Sequence, residues 1–240
     1  MNATAVSTSA SKKPEWGMAK QARGEQTRTA IIDAALGLFS EKGFEATTMR
    51  AIAERAGVSL GNAYYYFASK EQLIQGFYDH TAEVHGRELP GRLEGITGFG
   101  DRLIVHLDLW LELMAPHQPF AVTFFRNAAD PASPLSPFSS ESGPARAAAV
   151  ELLTQVIDGG DLKASKLVRA ELPEILWLFH MGVVLFWVYD RSDGAMATRL
   201  LVRRTVPMVE RAIELSRLPV LRSTITDLVG LIAELKQLMA

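Results

Sequence analysis

An all-α protein is what the sequence predicts, and three observations predict it. Apolar residues recur at helical spacing in one segment after another, no stretch alternates with the period of a strand, and the breaks fall at glycine, proline and capping hydroxyls. Up to about Gly24 the residues are small, polar and without period, which predicts a mobile tail with structure beginning near Glu25. From there Ile31, Ala35, Leu38 and Phe39 form a one-sided stripe that stops at Gly43, the first helix. Thr47 and Thr48 offer N-cap hydroxyls to a short second helix with Ile52, Ala53 and Ala56 on one side, and Gly57 can turn left-handed at its end. Ser59 can cap a third helix from Leu60 to Phe67. Ser69-Lys70-Glu71-Gln72 has the spacing of a capping box and opens a fourth, running to about Glu88 before Pro90.

The remainder reads as further helices. Leu103, Leu107, Trp110, Leu111 and Met114 make a stripe ended by Pro116, and the next segment holds Phe120, Phe124 and Phe125. Residues 130–144 carry four prolines and are expected to form a loop. A helix of about Ala145 to Ile157 ends at Gly159-Gly160, and Pro173 suits the first turn of the next, about Pro173 to Asp190. That helix is apolar on every face, so it needs cover on both sides, which a subunit interface would supply. Helices of about Ala195 to Ser216, kinked or broken at Pro207, and Arg222 to Met239 complete the bundle. The expected organisation is a tail over 1–24, a three-helix domain over 25–69 and a larger helical domain over 70–240.

Composition narrows the function. The 240 residues are 48% hydrophobic and 22% charged with a net charge of −2, the profile of a soluble globular chain. The absence of cysteine excludes a disulfide framework, Cys-ligated zinc and a thiolate nucleophile, and fits a reducing cytoplasm. The most apolar stretch, Ile175 to Tyr189, is shorter than the roughly 18 to 20 residues a bilayer requires, and the N-terminus lacks a signal peptide's apolar run. A cytoplasmic protein without a membrane partner is expected. Residues 1–70 hold nine Lys and Arg against six Asp and Glu, whereas residues 71–240 hold sixteen against twenty-one. The basic end is the candidate for a polyanion, with the tail as a possible minor-groove arm.

Thr47 to Lys70 reads as a helix-turn-helix, with Thr47 among the residues expected on its DNA-binding face. Ile52, Ala53, Val58, Ala63 and Phe67 make a small core, Ala53 lets the two helices approach, and Gly57 permits the turn. The outward chemistry of the third helix is unusual for a solvated surface. Ser59, Asn62, Tyr64, Tyr65 and Tyr66 bring hydroxyl and amide groups suited to phosphates and base edges where Lys and Glu would be ordinary.

The pattern F-x-x-x-G-F-x-x-T-T-x-x-x-I-A (Phe39, Gly43, Phe44, Thr47, Thr48, Ile52, Ala53), followed by A-G-V-S-x-G-x-x-Y-x-x-F-x-x-K-x-x-L (Ala56 to Leu73), resembles the DNA-binding domain of TetR/AcrR-type transcriptional regulators. The resemblance implies an all-helical homodimer on a palindromic double-stranded DNA operator, usually a repressor released by a small-molecule effector held in the C-terminal domain. It further implies that Thr48, Tyr65 and Lys70 hold phosphates, and that Met49, Arg50, Leu60, Gly61, Asn62 and Tyr64 face base edges or the sugar backbone. Lys70 also suits that role chemically, since an ammonium at a helix N-terminus makes an anion site. The sequence departs from common family choices with Asn62, where Thr is frequent, and Tyr65-Tyr66, where His is frequent; an Asn side chain suits adenine.

In the C-terminal part Trp110, Met114, Phe120, Phe124, Phe125, Trp177, Phe186 and Trp187 would line a cavity for an apolar or amphipathic molecule, with His106, Arg126 or His180 orienting its polar end. Ordinary core packing is the alternative for each aromatic, and a hydrogen-bonded core or interface histidine for His180. Arg126, directly after two phenylalanines, requires a carboxylate from protein or ligand if buried. No cofactor or metal site is expected: the five histidines lack ligand spacing, and no G-x-S-x-G or phosphate-loop lysine is present. A DNA-binding regulator without a ligand, and an all-helical enzyme with a C-terminal catalytic pocket, are the other two readings. In the favoured one, dimerisation through the helices around Pro173–Asp190 and Ala195–Ser216 sets the recognition helices about 34 to 36 Å apart, and ligand moves helix four to change that separation.

Overall fold

A computed structural model describes residues 15–128 and 133–218, with isolated positions between 220 and 234, and side chains from residue 22 onward apart from 123, 126 and 127. Among these residues every regular element is a helix, as the sequence predicts. The chain divides after Lys70 into two units.

The first unit holds α1 (Glu15–Lys42), α2 (Met49–Arg55) and α3 (Leu60–Tyr66). Helix α1 begins well before Glu25, where the sequence reading placed a mobile tail. Residues 15–28 are rich in Glu, Lys, Gln, Arg and Ala, which favour a helix by propensity without needing an apolar stripe, so periodicity passes over them. Ile31, Ile32, Ala35, Leu38 and Phe39 of α1 are buried with Ile52 and Ala53 of α2, Ala63 of α3 and Phe67 at its end. Val58, expected in this core, is half-buried. Gly43 (φ +82°) and Gly57 (φ +69°) take the left-handed conformation that ends one helix and permits the turn after the next. Arg55 reaches from α2 to α1 with parallel bonds of 2.8 and 2.7 Å to Glu41. It crosses Gly37, where a Cβ would stand 3.1 Å from the guanidinium.

The second unit contains α4 (Lys70–Arg92, whose first residue closes the first unit), α5 (Phe99–Met114), a 3-10 turn (Ala115–His117), α6 (Gln118–Ala128), α7 (Gly143–Asp158), α8 (Lys166–Tyr189), a second 3-10 turn (Asp193–Ala195) and α9 (Met196–Leu215). Helix α5 packs on α7 and α9, and α8 on α6, α7 and α9. Their shared core includes Leu103, Leu107, Leu153, Val156, Leu172, Leu176, Val183, Val202 and Val206, together with Leu89 of α4. Each such side chain contributes about 1.5–3 kcal/mol relative to exposure. Arg102 is buried among them, with no carboxylate on it among the described residues. Its guanidinium donates to the carbonyls of Ile96 (2.8 Å), Val156 (3.0 Å) and Gln155 (3.0 Å), so it sits on the negative C-terminal end of α7.

Two prolines correct the sequence reading. Pro90 and Pro173 lie inside α4 and α8 rather than beyond the one and at the start of the other, while Pro207 lies within an unbroken α9, which leaves the kinked alternative of the sequence reading. An interior proline costs about 3 kcal/mol, which burial of Leu172 and Leu176 in α8, and of Val206 and Ile213 in α9, offsets. Helix α8 starts instead after Ser165, whose hydroxyl accepts from the Val168 amide (3.3 Å). At 24 residues it is long and apolar enough to cross a membrane by length and composition, against the shorter stretch read from the sequence. One face is accounted for within the unit, since Leu172, Leu176, Trp177, Val183, Trp187 and Val188 are core. Residues 133–142 form turns tied to α4 by Gln75, which donates to the Pro134 carbonyl (3.0 Å), and Pro144 lies in the first turn of α7. The expected helix from Arg222 to Met239 falls almost wholly outside the described residues.

Candidate nucleic-acid interface and a buried histidine cluster

Helix α3 is short, and its position rests on its two ends and on Ala63. Ser59 caps it, accepting from the Asn62 amide at 3.1 Å, and Thr48 caps α2, accepting from the Ala51 amide at 3.2 Å. Ala63 and Phe67 face inward, which leaves Ser59, Gly61, Asn62, Tyr64 and Tyr65 exposed and Leu60 half-buried. Tyr65 is 81% exposed. Its ring meets Tyr66 edge-on, with centroids 5.2 Å apart. Tyr66 itself is half-buried, with Gly24 of α1 beside its hydroxyl. Arg50 and Thr48 are exposed at the start of α2. No Cβ added at Gly61 would meet another atom, so this spot on α3 is open to an approaching backbone.

Two of the residues assigned to this face by sequence point the other way. Thr47 is buried, its hydroxyl donating to the carbonyls of Gly43 (2.8 Å) and Leu38 (3.3 Å), so it closes the α1–α2 turn. Met49 is also buried, because the first residue of α2 falls on the core face with Ile52 and Ala53. Lys70 is half-buried, and its ammonium donates to the Phe44 carbonyl at 2.6 Å while lying 4.4 Å from the Phe44 ring centroid. It clamps the turn before α2 onto the start of α4.

The aromatic residues assigned to a ligand cavity separate into several groups. Phe120 and Phe124 of α6 stack on each other at 5.2 Å and meet Phe77 and Tyr78 of α4 at 6.3 and 6.0 Å respectively. Burial pushes the Tyr78 hydroxyl pKa upward. Phe125 lies against Tyr189 (5.9 Å). Trp177 sits apart, between Phe138 (5.2 Å) and the Arg146 guanidinium (4.6 Å), and Arg146 also binds Glu174 at 2.9 Å. Met114 is buried. The Arg126 side chain lies outside the described residues.

Trp110, His180 and Trp187 do come together, and they bring two partners. Trp110 is edge-on to His180 (5.0 Å) and Trp187 (5.2 Å), His180 is edge-on to His106 (5.3 Å), and His106 stacks on His85 (4.6 Å). His85, His106 and His180 are at most 3% exposed, and His85 Nε2 and both nitrogens of His106 and of His180 have no hydrogen-bond partner. Burial holds His85 down to about 4, against a backbone hydrogen bond at His106 that raises it, and holds His180 down to about 3, with repulsion from His85 adding to the fall. His106 is lowered well below the usual histidine range, first by burial and then by its two neighbours. All three are neutral imidazoles at pH 7. Sequence reasoning reached His106 and His180 but not His85, whose only signal is that an otherwise polar helix turns it toward the core among Phe77, His85 and Leu89.

Comparison with known proteins fits both units. Residues 31–76 match the profile of the bacterial regulatory proteins, tetR family, and residues 102–231 that of the tetracyclin repressor-like C-terminal domain. The A-factor receptor protein of Streptomyces griseus is 45% identical over 83 residues, 32% of this chain and 30% of that one. Matches of this kind cover about a third of the curated relatives' own length. Among solved structures, a TetR transcriptional regulator from Nitrosomonas europaea aligns over 75% of this chain and 96% of its own, with a TM-score of 0.60 and 21% identity. The TetR-family repressor FadR of Thermus thermophilus, solved with lauroyl-CoA, aligns over 75% of this chain and 92% of its own with a TM-score of 0.53 and 20% identity. With the C-terminal profile alone spanning more than half of its residues and the helix-turn-helix profile preceding it, the chain belongs to the tetR family of bacterial regulatory proteins.

Proposed function

We propose that the protein is a ligand-released transcriptional repressor that binds a palindromic operator as a homodimer in the cytoplasm. The observation that carries the DNA-binding part is the surface of α3. A seven-residue helix capped by Ser59 and anchored by Ala63 and Phe67 turns Asn62, Tyr64 and Tyr65 to solvent beside Arg50. Side chains of these types hold phosphates and read base edges in a major groove. In this reading Thr48, Arg50 and Tyr65 hold phosphates, while Asn62 and Tyr64 lie against bases, with Leu60 and Gly61 close to the sugar backbone. Thr47, Met49 and Lys70 act from behind, holding the turn and the helix that present those groups.

The dimer reading rests on α8 and α9. On α8, Leu178, Gly182, Leu185, Phe186 and Tyr189 are exposed at helical spacing, one apolar stripe opposite the face buried in the core. On α9 Met196, Leu200, Met208 and Leu215 are exposed as well. Stripes of this kind mark a protein–protein surface. The ligand part is supported by what related proteins bind: FadR of Thermus thermophilus is solved with lauroyl-CoA, and the Streptomyces relative is a receptor by name. Helix α4 runs unbroken from Lys70 to Arg92 and carries His85, so a ligand that shifts α4 would shift the clamp on Phe44. Such a ligand releases DNA only by preferring the shifted state.

The test is binding of the purified protein to fluorescent fragments flanking its own gene, across a salt series and with a scrambled competitor. Salt-sensitive binding that survives the competitor supports the regulator; absence of binding at low salt overturns it.

A further inference from the structure

The histidine cluster is an unusual thing to bury. Five imidazole nitrogens on His85, His106 and His180 lack partners, and the rings come from three different helices, α4, α5 and α8. A buried polar atom without a partner forfeits its hydration and is destabilising, so a fold with no use for these nitrogens would be more stable with leucine or phenylalanine in their place. The cluster also has a chemical character. Neutral imidazoles each offer one donor and one acceptor, and the groups acting on the three electrostatically are only one another. No carboxylate among them would balance a cation. A metal ion is also ill suited, since His85 and His106 are stacked with their planes 25° apart, so their in-plane lone pairs do not converge. Among the described residues no group of His, Asp and Glu is arranged to hold one. Of the five rings, only Trp110 is more than slightly exposed, and it stands edge-on to both His180 and Trp187.

We propose that His85, His106 and His180 bind the polar end of the effector, and that this end is an uncharged group able both to donate and to accept hydrogen bonds, such as a hydroxyl, carried on an apolar body that lies along Trp110 and Trp187. The proposal rests on the ligand-released reading above and specifies the chemistry of the ligand. An uncharged head enters without an ion's desolvation penalty and satisfies nitrogens that are otherwise bare. A permanently charged head has no counter-charge here and is rejected.

The experiment uses the full-length protein and one apolar body with three heads: 1-octanol, octylammonium and octyl sulfate. Imidazole 15N resonances are followed by NMR during each titration, and release of operator DNA is measured in parallel. The expected result is that octanol moves the resonances of the three buried histidines and raises Tm, while the two ions do neither. His106→Gln keeps a polar amide at the centre, and His106→Leu removes the polarity; octanol binding at least tenfold weaker in the leucine variant than in the glutamine variant is expected, and both variants are checked for a wild-type circular dichroism spectrum. Histidine resonances that stay fixed with octanol, or that move equally for all three heads, overturn the proposal. Octanol bound at the histidines without DNA release leaves the proposal standing and refutes the release reading. DNA release by octanol with unmoved histidines does the reverse.

Discussion

Acidification should destabilise the C-terminal unit steeply, and the size of the effect follows from three side chains. His85, His106 and His180 all have folded pKa values below the ordinary 6.5, at about 4 for His85 and about 3 for His180. The unfolded chain therefore binds protons that the folded chain refuses, and stability falls as pH drops through 6.5 toward the folded values. At pH 5 an imidazole that protonates only in the unfolded state costs about 2 kcal/mol, against about 0.2 kcal/mol at pH 7. For folded values below 5, as at His85 and His180, that figure changes by only a few tenths of a kcal/mol with where they stand. Three such groups bring the loss to about 5–6 kcal/mol between pH 7 and pH 5, an upper figure comparable with the whole stability of many domains. Urea unfolding at pH 7, 6 and 5, at one fixed protein concentration so that any dimer contributes equally, measures it. His106→Leu serves as the internal comparison: it should unfold at equal or higher urea at pH 7, having lost two unpartnered nitrogens, and should lose about 2 kcal/mol less than wild type on going to pH 5. Equal stability at pH 5 and pH 7, or a variant that shares the wild-type pH slope, would refute the reasoning.

Other outcomes follow from individual contacts. Arg50→Ala should weaken binding to every DNA sequence and lower the salt slope by about one, whereas Asn62→Ala should mainly relax sequence preference, both read by fluorescence anisotropy on matched and scrambled duplexes. Lys70→Ala removes the hydrogen bond to Phe44 and the contact with its ring, and should cost the first unit about 1–2 kcal/mol while weakening DNA binding across all sequences. Gly159 leaves room for the Arg102 guanidinium, so Gly159→Ala should displace it from the α7 carbonyls and cost about 2–4 kcal/mol by thermal or urea unfolding. Phe186→Glu, at an exposed position, should turn a dimer into a folded monomer in sedimentation; a dimer that persists would move the interface elsewhere.

The sequence was most legible where geometry leaves few choices. The first helix stops at Gly43, Gly57 turns left-handed, one of the two candidate threonines and Ser59 cap their helices, and Ile52, Ala53, Ala63 and Phe67 share a core, as the spacing predicts. The site was less legible because adjacent residues that look alike do opposite work. Thr47 and Thr48 are neighbours with the same hydroxyl, yet one closes a turn inside and the other caps a helix at the surface, a difference set by where the chain turns after Phe44. Tyr65 and Tyr66 divide the same way between solvent and the flank of α1.

The prolines misled for a different reason. Proline's local cost is fixed, but the burial that outweighs it depends on partners far along the chain, so α4 and α8 run through Pro90 and Pro173. The histidines extend this argument. His85, His106 and His180 are separated widely in sequence, and nothing local marks them as one group; only packing α4, α5 and α8 together brings the His85 and His180 rings each within about 5 Å of His106. An apolar residue at any of these positions would satisfy the helical pattern equally well. The pattern alone therefore cannot explain why imidazoles stand there, and five unpartnered nitrogens in a core otherwise built from leucine, valine and tryptophan require a cause outside folding, for which a bound polar group is the simplest chemistry.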